Sequence, residues 1–426
     1  MTELFENTAL GEKYYKTNVK GLDIYIIPKK LSTVYASVAV NFGSSDVEFE
    51  REGERVRLPA GTAHFLEHKM FDMPDGTDAF EQFSLLGANA NAYTAASRTC
   101  YMFTCTDNFA DSLALLLRVV KEPCFSDASV DKERPIITQE IRMYMDDPYW
   151  KMHFGLLGAL YKDDPIKDDP AGSEETIAEI SPELLYSCHR AFYRNDNMAL
   201  CVCGDVEVDT VVSVAETVLE KTEPVSLTRI RPEESPMPVF DRAEFRLDVG
   251  TPLFAVGIKC APPADGEGLM RADAEHEIIL QAIFGKSGSF YNGLYEEGLL
   301  GDRFSSGYSS EAGCAHIMLY GSSDDPDLVY RRVYEELCRR RNGFLDAEEF
   351  ERAKKVCYSA ALDTYNGTED TANAFIGFVF EGGDLFKYTD YLRNASYEDV
   401  KKTFMESYKP ERMAFSVIYS KEEQNG

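Results

Sequence analysis

Apolar and polar residues alternate through Leu22–Pro28 and Val34–Phe42, a period of two that predicts strands. Ala110–Glu122 instead spaces its apolar residues at helical intervals, so one flank of a helix is expected to be buried there. Met198–Cys203 and Leu253–Cys260 are short apolar runs that predict buried strands, and the second resembles Ala36–Phe42. Strands and helices in turn, punctuated by Gly and Pro, predict an α+β chain in which an antiparallel or mixed sheet carries helices packed on one face.

The pattern also repeats. Ser181-Pro182-Glu183-Leu184-Leu185, leading to Phe192-Tyr193 and Met198-Ala199-Leu200, has a counterpart in Ser396-Tyr397-Glu398-Asp399-Val400, Ser407-Tyr408 and Met413-Ala414-Phe415. Ser181 and Ser396, Tyr193 and Tyr408, and Met198 and Met413 are separated by one and the same interval. Each copy reads as an acidic helix start, an amphipathic helix and a short apolar strand, and three anchors at one spacing point to duplication. Lys221–Asp241, with four prolines among charged residues, has the composition of a connector. The expected division is therefore a domain at 1–222, a linker at 223–240 and a homologous domain at 241–426. The length of 426 residues agrees, because it exceeds what one ordinary core organises.

Composition narrows the surroundings. The chain is 44% hydrophobic, and no run of eighteen apolar residues predicts a membrane span. Its acidic N-terminus, MTELFENTALGEKYY, lacks the apolar centre of a signal peptide. Ten cysteines without a CxxC pair or regular framework then favour reduced thiols and a cytoplasmic protein. Cys201-Val202-Cys203 reads as part of a buried strand rather than as a soft-metal site. A net charge of −29 argues against nucleic acid as a partner. It serves solubility, or alternatively the steering of basic peptides.

One short stretch carries recognisable chemistry. His64-Phe65-Leu66-Glu67-His68 reads HxxEH. Residues four apart share a helix face, so the two imidazoles are placed to bind one cation while Glu67 sits beside it. Imidazole and carboxylate ligands suit Zn²⁺, in sites that keep a position open for water. The alternative is a helix that happens to carry two of the chain's six histidines. A third ligand is needed, and DKERPIITQEIRMYMDDP offers Glu133 and Glu140, about two helical turns apart. Glu140 lies in the more continuous helical pattern, with Ile136, Ile137, Ile141 and Met145, and is the expected ligand; Glu133 is its outer neighbour. Pro135 either disturbs a helix running through it or begins the helix that carries Glu140, in which case Glu133 lies just outside. For both glutamates the alternative is an exposed helix face. Farther on, Ala90, Ala92 and Thr94 alternate with Asn91 and Tyr93. Such a small-residue strand permits close approach of another backbone, and hence a peptide added as an extra strand. An ordinary strand after a helix is the plainer alternative.

HxxEH, followed after some seventy residues by two glutamates seven apart, resembles the insulinase or pitrilysin (inverzincin) family of zinc peptidases, which includes the mitochondrial processing peptidases. Gly87-Ala88-Asn89-Ala90-Asn91-Ala92-Tyr93-Thr94, with Thr99 and Tyr101, is similar to that family's strand after the metal helix, and Phe192-Tyr193 to Asn197-Met198 to a later segment. The nearest pattern is a single-length bacterial cytoplasmic branch. The resemblance implies His64, His68 and Glu140 as zinc ligands, Glu67 as general base and Glu133 as a supporting acid. It also implies Asn91, Ala92 and Tyr93 as the edge strand that holds a peptide substrate, and two α+β halves arranged as a clamshell around a cleft.

The second half departs from the family. It has no HxxEH, and its helix around His276–Phe284 carries a single histidine. Where the family places an arginine and a tyrosine that hold substrate, this chain reads Ser289-Phe290-Tyr291-Asn292-Gly293-Leu294-Tyr295-Glu296-Glu297-Gly298-Leu299. Tyr295 stands in the arginine's place and Asp302 near the tyrosine's; Arg303 and Tyr308 do not fit the spacing. The resemblance then implies the zinc-bearing subunit of a heterodimer, whose related metal-free subunit supplies both groups, or else a homodimer. Its alternatives are a catalytically weak or inactive metal-binding assembly or peptide-binding subunit, and an unrelated enzyme with an accidental HxxEH. Phosphate loops, dinucleotide fingerprints and nucleophile elbows in a usable context are absent from the sequence.

Overall fold

A computed structural model describes residues 2–223, 225–301 and 303–421. Asp302, noted above, and Pro224, one of the four connector prolines, lie outside the described residues.

The chain divides into two compact units, the first comprising 1–141, 169–230 and 364–386, the second 142–168, 231–363 and 387–426. In the first, the strands are β1 (Glu3–Asn7), β2 (Glu12–Val19), β3 (Leu22–Pro28), β4 (Val34–Val40), β5 (Glu48–Arg51), β6 (Glu54–Arg57), β7 (Asn89–Thr94), β8 (Thr99–Cys105), β9 (Met198–Gly204) and β10 (Leu227–Arg229). Seven of them form a mixed sheet in the order β1-β2-β3-β9-β4-β8-β7, which leaves β7 at one margin; β10-β5-β6 form a small second sheet. The second unit has β11 (Arg242–Leu247), β12 (Leu253–Cys260), β13 (Phe304–Glu311), β14 (Cys314–Ser322) and β15 (Met413–Ser420), in the order β11-β15-β12-β14-β13.

The repeat interval is structural. Helix Pro182–Phe192 and β9 stand at the same interval before helix Tyr397–Ser407 and β15 as Ser181 does before Ser396. Ser181 and Ser396 cap those helices by accepting from the N–H three residues on. β9 lies parallel to β3 and antiparallel to β4, and β15 lies parallel to β11 and antiparallel to β12. The two halves are therefore homologous α+β folds.

Each sheet packs helices of its own half against one face, Phe109–Lys121 in the first unit and Gly266–Ile283 in the second. The opposite face is covered by a helix from the other half of the sequence, an exchange that a linear division at 222 and 241 does not anticipate. Helix Pro148–Leu160 packs on β11, β12 and β15, and helix Thr368–Val379 on β4 and β9. Alternation along β14 separates the two faces of the second sheet. His316 meets the Tyr161 hydroxyl at 3.0 Å, whereas Ile317 pairs with Tyr308, whose ring stacks on His276 of helix Gly266–Ile283 at 4.0 Å. Close approach on the 148–160 side depends on glycine: a Cβ on Gly155 would meet the Phe245 ring at 2.5 Å. In the first unit, Tyr35 donates to Asn373 at 2.9 Å and Phe375 packs against Tyr14 and Tyr25 with centroids 4.9 and 5.1 Å away. This double cover explains why β4, β9 and β12 are buried along their whole length.

The connector is ordered by a part-buried charge. Glu234 accepts from the N–H groups of Lys162, Asp163 and Asp164 and from Lys259 Nζ at 2.8 Å. Burial disfavours its charge, but the Lys259 ammonium and these N–H groups prevail and hold its pKa down to about 2. The folded value lies below the unfolded one, so this contribution to stability is present above about pH 4.5 and is lost as pH falls towards 2. Glu234→Gln would leave Lys259, 3% exposed, without its counter-charge. We expect a loss of about 3 kcal/mol at pH 7 in urea denaturation, with the variant less sensitive to acid than the parent between pH 4.5 and 2.

Candidate metal centre

HxxEH occupies a helix of eight residues, Thr62–Lys69. Gly61 starts it in the left-handed region at φ 90°, where a Cβ would stand 2.5 Å from the Ala171 carbonyl oxygen. Phe65 and Leu66 are fully buried in the core of the first unit. Fixing those two residues orients the rest by helical geometry, with His64 and His68 on one face and Glu67 next to them. The imidazole centroids are 4.6 Å apart.

Both expected glutamates arrive on one helix, Asp127–Asp146. It runs through Pro135, which decides between the two readings of that proline, and Glu133 and Glu140 share one helix. Proline leaves the Asp131 carbonyl without its helical donor. The turn is held instead by burial of Val130 and Ile137 on either side and by Arg134, which donates to the carbonyls of Ile177 and Ile180. The buried face is Val130, Ile137 and Ile141, while Ile136 and Met145 are exposed.

Glu140 Oε1 lies 3.7 Å from His64 Nε2 and its Oε2 3.5 Å from His68 Nε2. One donor atom from each of the three residues falls within 4.8 Å of the others. Two atoms each bound at about 2.1 Å to a tetrahedral Zn²⁺ stand about 3.4 Å apart, so these separations fit a shared cation better than mutual hydrogen bonds. His68 Nδ1 lies 3.1 Å from Glu133 Oε1. With its proton on Nδ1, His68 turns the Nε2 lone pair towards Glu140, the carboxylate–histidine arrangement that orients a metal ligand. Glu133 is in turn held by Lys69, 1% exposed, whose ammonium lies 3.3 Å from Oε2 and also binds Asp72. His64 Nδ1 is buried with no hydrogen-bond partner among the described residues. The donor set therefore fits zinc.

The electrostatics favour a cation. Burial disfavours the charge on His68, yet the hydrogen bond to Glu133 and the negative charges of Glu140 and Glu67 outweigh it and push the pKa up to about 9. Glu133 is shifted below the usual carboxylate range by His68, against burial and with the help of Lys69. Glu67, 8% exposed, is shifted upwards by burial, against the neighbouring imidazoles and a hydrogen bond from Thr94. Thr94 Oγ1 donates to Glu67 Oε2 at 2.6 Å.

Asn91, Ala92 and Tyr93 lie on β7, which pairs with β8 alone among the described strands. Asn91 is exposed, and its Oδ1 covers the Ala92 N–H at 2.9 Å. Tyr93 is half-buried, with its hydroxyl 3.4 Å from Arg98 Nε. Lys69 and Thr94 are the site residues that sequence reasoning passed over. Lys69 directly follows the motif, but adjacency does not reveal that it turns to Glu133. Thr94 shares its strand face with Ala90 and Ala92, a period that shows the face and not its partner. In the second half, the repeat interval carries His64, Glu67 and His68 onto Ile279, Ala282 and Ile283, all buried in helix Gly266–Ile283.

Residues 30–168 match the model of the insulinase family (peptidase family M16), and residues 179–357 that of the peptidase M16 inactive domain. The chain is 34% identical over 415 residues to the uncharacterized zinc protease YmfH of Bacillus subtilis, with 96% of each covered. Among solved structures it is similar to an M16-like peptidase from Alicyclobacillus acidocaldarius, with TM-score 0.93 and 31% identity over 96% of this chain and 98% of that one. A protease from Helicobacter pylori shares the fold at TM-score 0.82 and 18% identity, with 96% and 99% covered.

Lys69→Met would release Glu133 and, through it, the orientation of His68. Zinc affinity should fall roughly ten- to hundredfold, as measured by competition with a fluorescent chelator.

Proposed function

Since the chain belongs to the insulinase (M16) family of peptidases, we propose that it is a zinc metallo-endopeptidase acting on short or unstructured peptides, with His64, His68 and Glu140 as ligands and Glu67 as general base. The observation that carries this reading is the convergence of the three ligand atoms with Glu67 alongside, all fixed by the same eight-residue helix and its glutamate neighbour. Zinc bound there supplies Lewis acidity at the scissile carbonyl. Glu67 removes a proton from the attacking water and returns it to the leaving amine. Its burial suits the task, because a carboxyl raised from its ordinary pKa is a better match to an acid–base role near neutrality. Glu133 holds His68 in the ligating tautomer. Asn91, Ala92 and Tyr93 hold the peptide as a strand added to the unpaired side of β7, where main-chain hydrogen bonds tolerate many sequences.

The reading extends to a partner. Tyr295 is exposed on helix Ser289–Glu296, Arg303 lies over the Tyr149 ring at 5.5 Å, and Tyr308 is stacked on His276. The arginine and tyrosine that would hold the substrate carbonyl therefore come from a second chain, a related metal-free subunit or a second copy of this one. The same departure favours the second reading, a metal-binding assembly or peptide-binding subunit that is weak or inactive alone, since losing a transition-state donor costs several kcal/mol. Ten free cysteines, most of them buried, support a reducing compartment such as the cytoplasm. No described helix is long and apolar enough to cross a membrane.

Glu67→Gln should abolish cleavage of quenched-fluorescent peptides while retaining stoichiometric zinc by elemental analysis, whereas His68→Ala should lose both. Cleavage at the parent rate by Glu67→Gln removes the assigned base. Co-purification from the source organism should yield a stoichiometric, metal-free relative or a dimer of this chain. Vigorous cleavage by the monomer, unaffected by any partner, removes the reason for proposing one.

A further inference from the structure

We propose that Thr94 is the positioning residue for Glu67, and that it ties the orientation of the general base to the strand on which the peptide lies. This inference rests on the reading of Glu67 as the base. Among the described residues, Thr94 is the hydrogen-bond donor to Glu67, at 2.6 Å to Oε2. A carboxylate on a two-carbon stem otherwise rotates about its terminal bond, and a fixed Oε2 leaves Oε1 as the oxygen that meets the water proton.

The direction of the hydrogen bond follows from the carboxylate, which only accepts, and the neighbouring threonine does not reverse it. Thr94 and Thr99 pair directly across β7 and β8, and their hydroxyl oxygens are 3.5 Å apart. Thr99 is fully buried and gives its single proton to the Phe42 carbonyl at 2.9 Å. It therefore has none left for Thr94, because a hydroxyl carries only one donor. Thr94 also has a single proton, and the Glu67 carboxylate at 2.6 Å takes it in preference to the Thr99 oxygen at 3.5 Å. A donor to the ionised carboxylate is the stronger kind of hydrogen bond, worth more than a neutral pair.

The geometry joins two tasks on one strand. Thr94 follows Tyr93 directly, and Asn91, Ala92 and Tyr93 are the residues proposed to receive the substrate backbone. A peptide in register with β7 is then in register with the residue that aims the base. Productive alignment requires both, so the hydroxyl acts on the rate of the chemical step and not on the affinity of the peptide.

The test compares Thr94→Val, which replaces the hydroxyl by a methyl group of similar size, with Thr94→Ser, which keeps the donor. In the zinc-loaded full-length protein with its partner present, Thr94→Val should lower kcat about ten- to hundredfold with KM within about twofold of the parent. Thr94→Ser should recover most of the loss, and zinc content should be the same in all three. Crystal structures of the two variants supply a readout independent of turnover: Glu67 should leave its position beside β7 in the valine variant and keep it in the serine variant. An undisplaced Glu67 in Thr94→Val, or a kcat within twofold of the parent, overturns the proposal. So does a serine variant that stays as slow as the valine variant. If the parent cleaves no peptide, the proposed peptidase activity falls, while the two crystal structures still decide whether Thr94 positions Glu67.

Discussion

Burial of Phe65 and Leu66 is the constraint on which the site depends. Eight residues are too few for a helix to persist in water by itself, because nucleation outweighs the few hydrogen bonds it gains. Helix Thr62–Lys69 exists because two consecutive side chains are fully buried in the first unit's core. Their burial contributes about 2 kcal/mol each. Once they are fixed, the azimuths of the other residues follow, and His64, Glu67 and His68 cannot turn inward without expelling a phenylalanine. The spacing of HxxEH is thus a compromise between chemistry and anchoring, with the two positions between His64 and Glu67 serving the core.

A second layer of constraint is electrostatic. Glu67, Glu133 and Glu140 gather around two imidazoles in a half-buried place, an arrangement that repels itself unless positive charge is supplied. Lys69 supplies part of it and, being almost wholly buried itself, requires Glu133 and Asp72 as much as they require it. The interaction is therefore mutual. Glu133 turns one oxygen to Lys69 and the other to His68, so the ammonium that compensates the charge also fixes the angle of an imidazole. Such an acid touches the chemistry only through the histidine it holds.

Much of this was legible in sequence, for reasons that differ by element. The strand at Leu22–Pro28 and the one at Leu253–Cys260 match their predicted bounds because alternation and apolar runs report burial directly. The repeat interval is found again in cap, helix and strand because each anchor is a local signal repeated in the same order. The exchanged helices were not legible. Apolar residues in Pro148–Leu160 and Thr368–Val379 announce a buried face without naming the sheet it covers, and the sequence places each helix beside the wrong one. Pro135 left two readings open for a related reason, since local preference allows a helix start there while Arg134 and the buried flank carry the helix through it. Thr94 and Lys69 depend on contacts across 27 and 64 residues, which no periodicity reports.

The second unit shows what sets the charge of a histidine in this scaffold. His276 is buried at 2% exposure, bonded through Nδ1 to the Tyr408 hydroxyl at 3.1 Å and stacked on Tyr308. With no carboxylate among its hydrogen-bond partners, burial alone acts on it and drives its pKa down to about 3, so it is a neutral core group. His68 is subject to the same penalty, but Glu133 and Glu140 reverse the outcome and hold positive charge there up to about pH 9. One side chain thus shifts in opposite directions in two homologous units, and the difference comes from a glutamate pair carried on another helix. Tyr193, the counterpart of Tyr408, bonds the Tyr101 hydroxyl at 2.7 Å, so the same position in the repeat finds a partner on a strand in one unit and on a helix in the other. Replacing Ile279 and Ile283 with histidine would accordingly restore the spacing of the motif without the glutamate pair that accompanies it in the first unit.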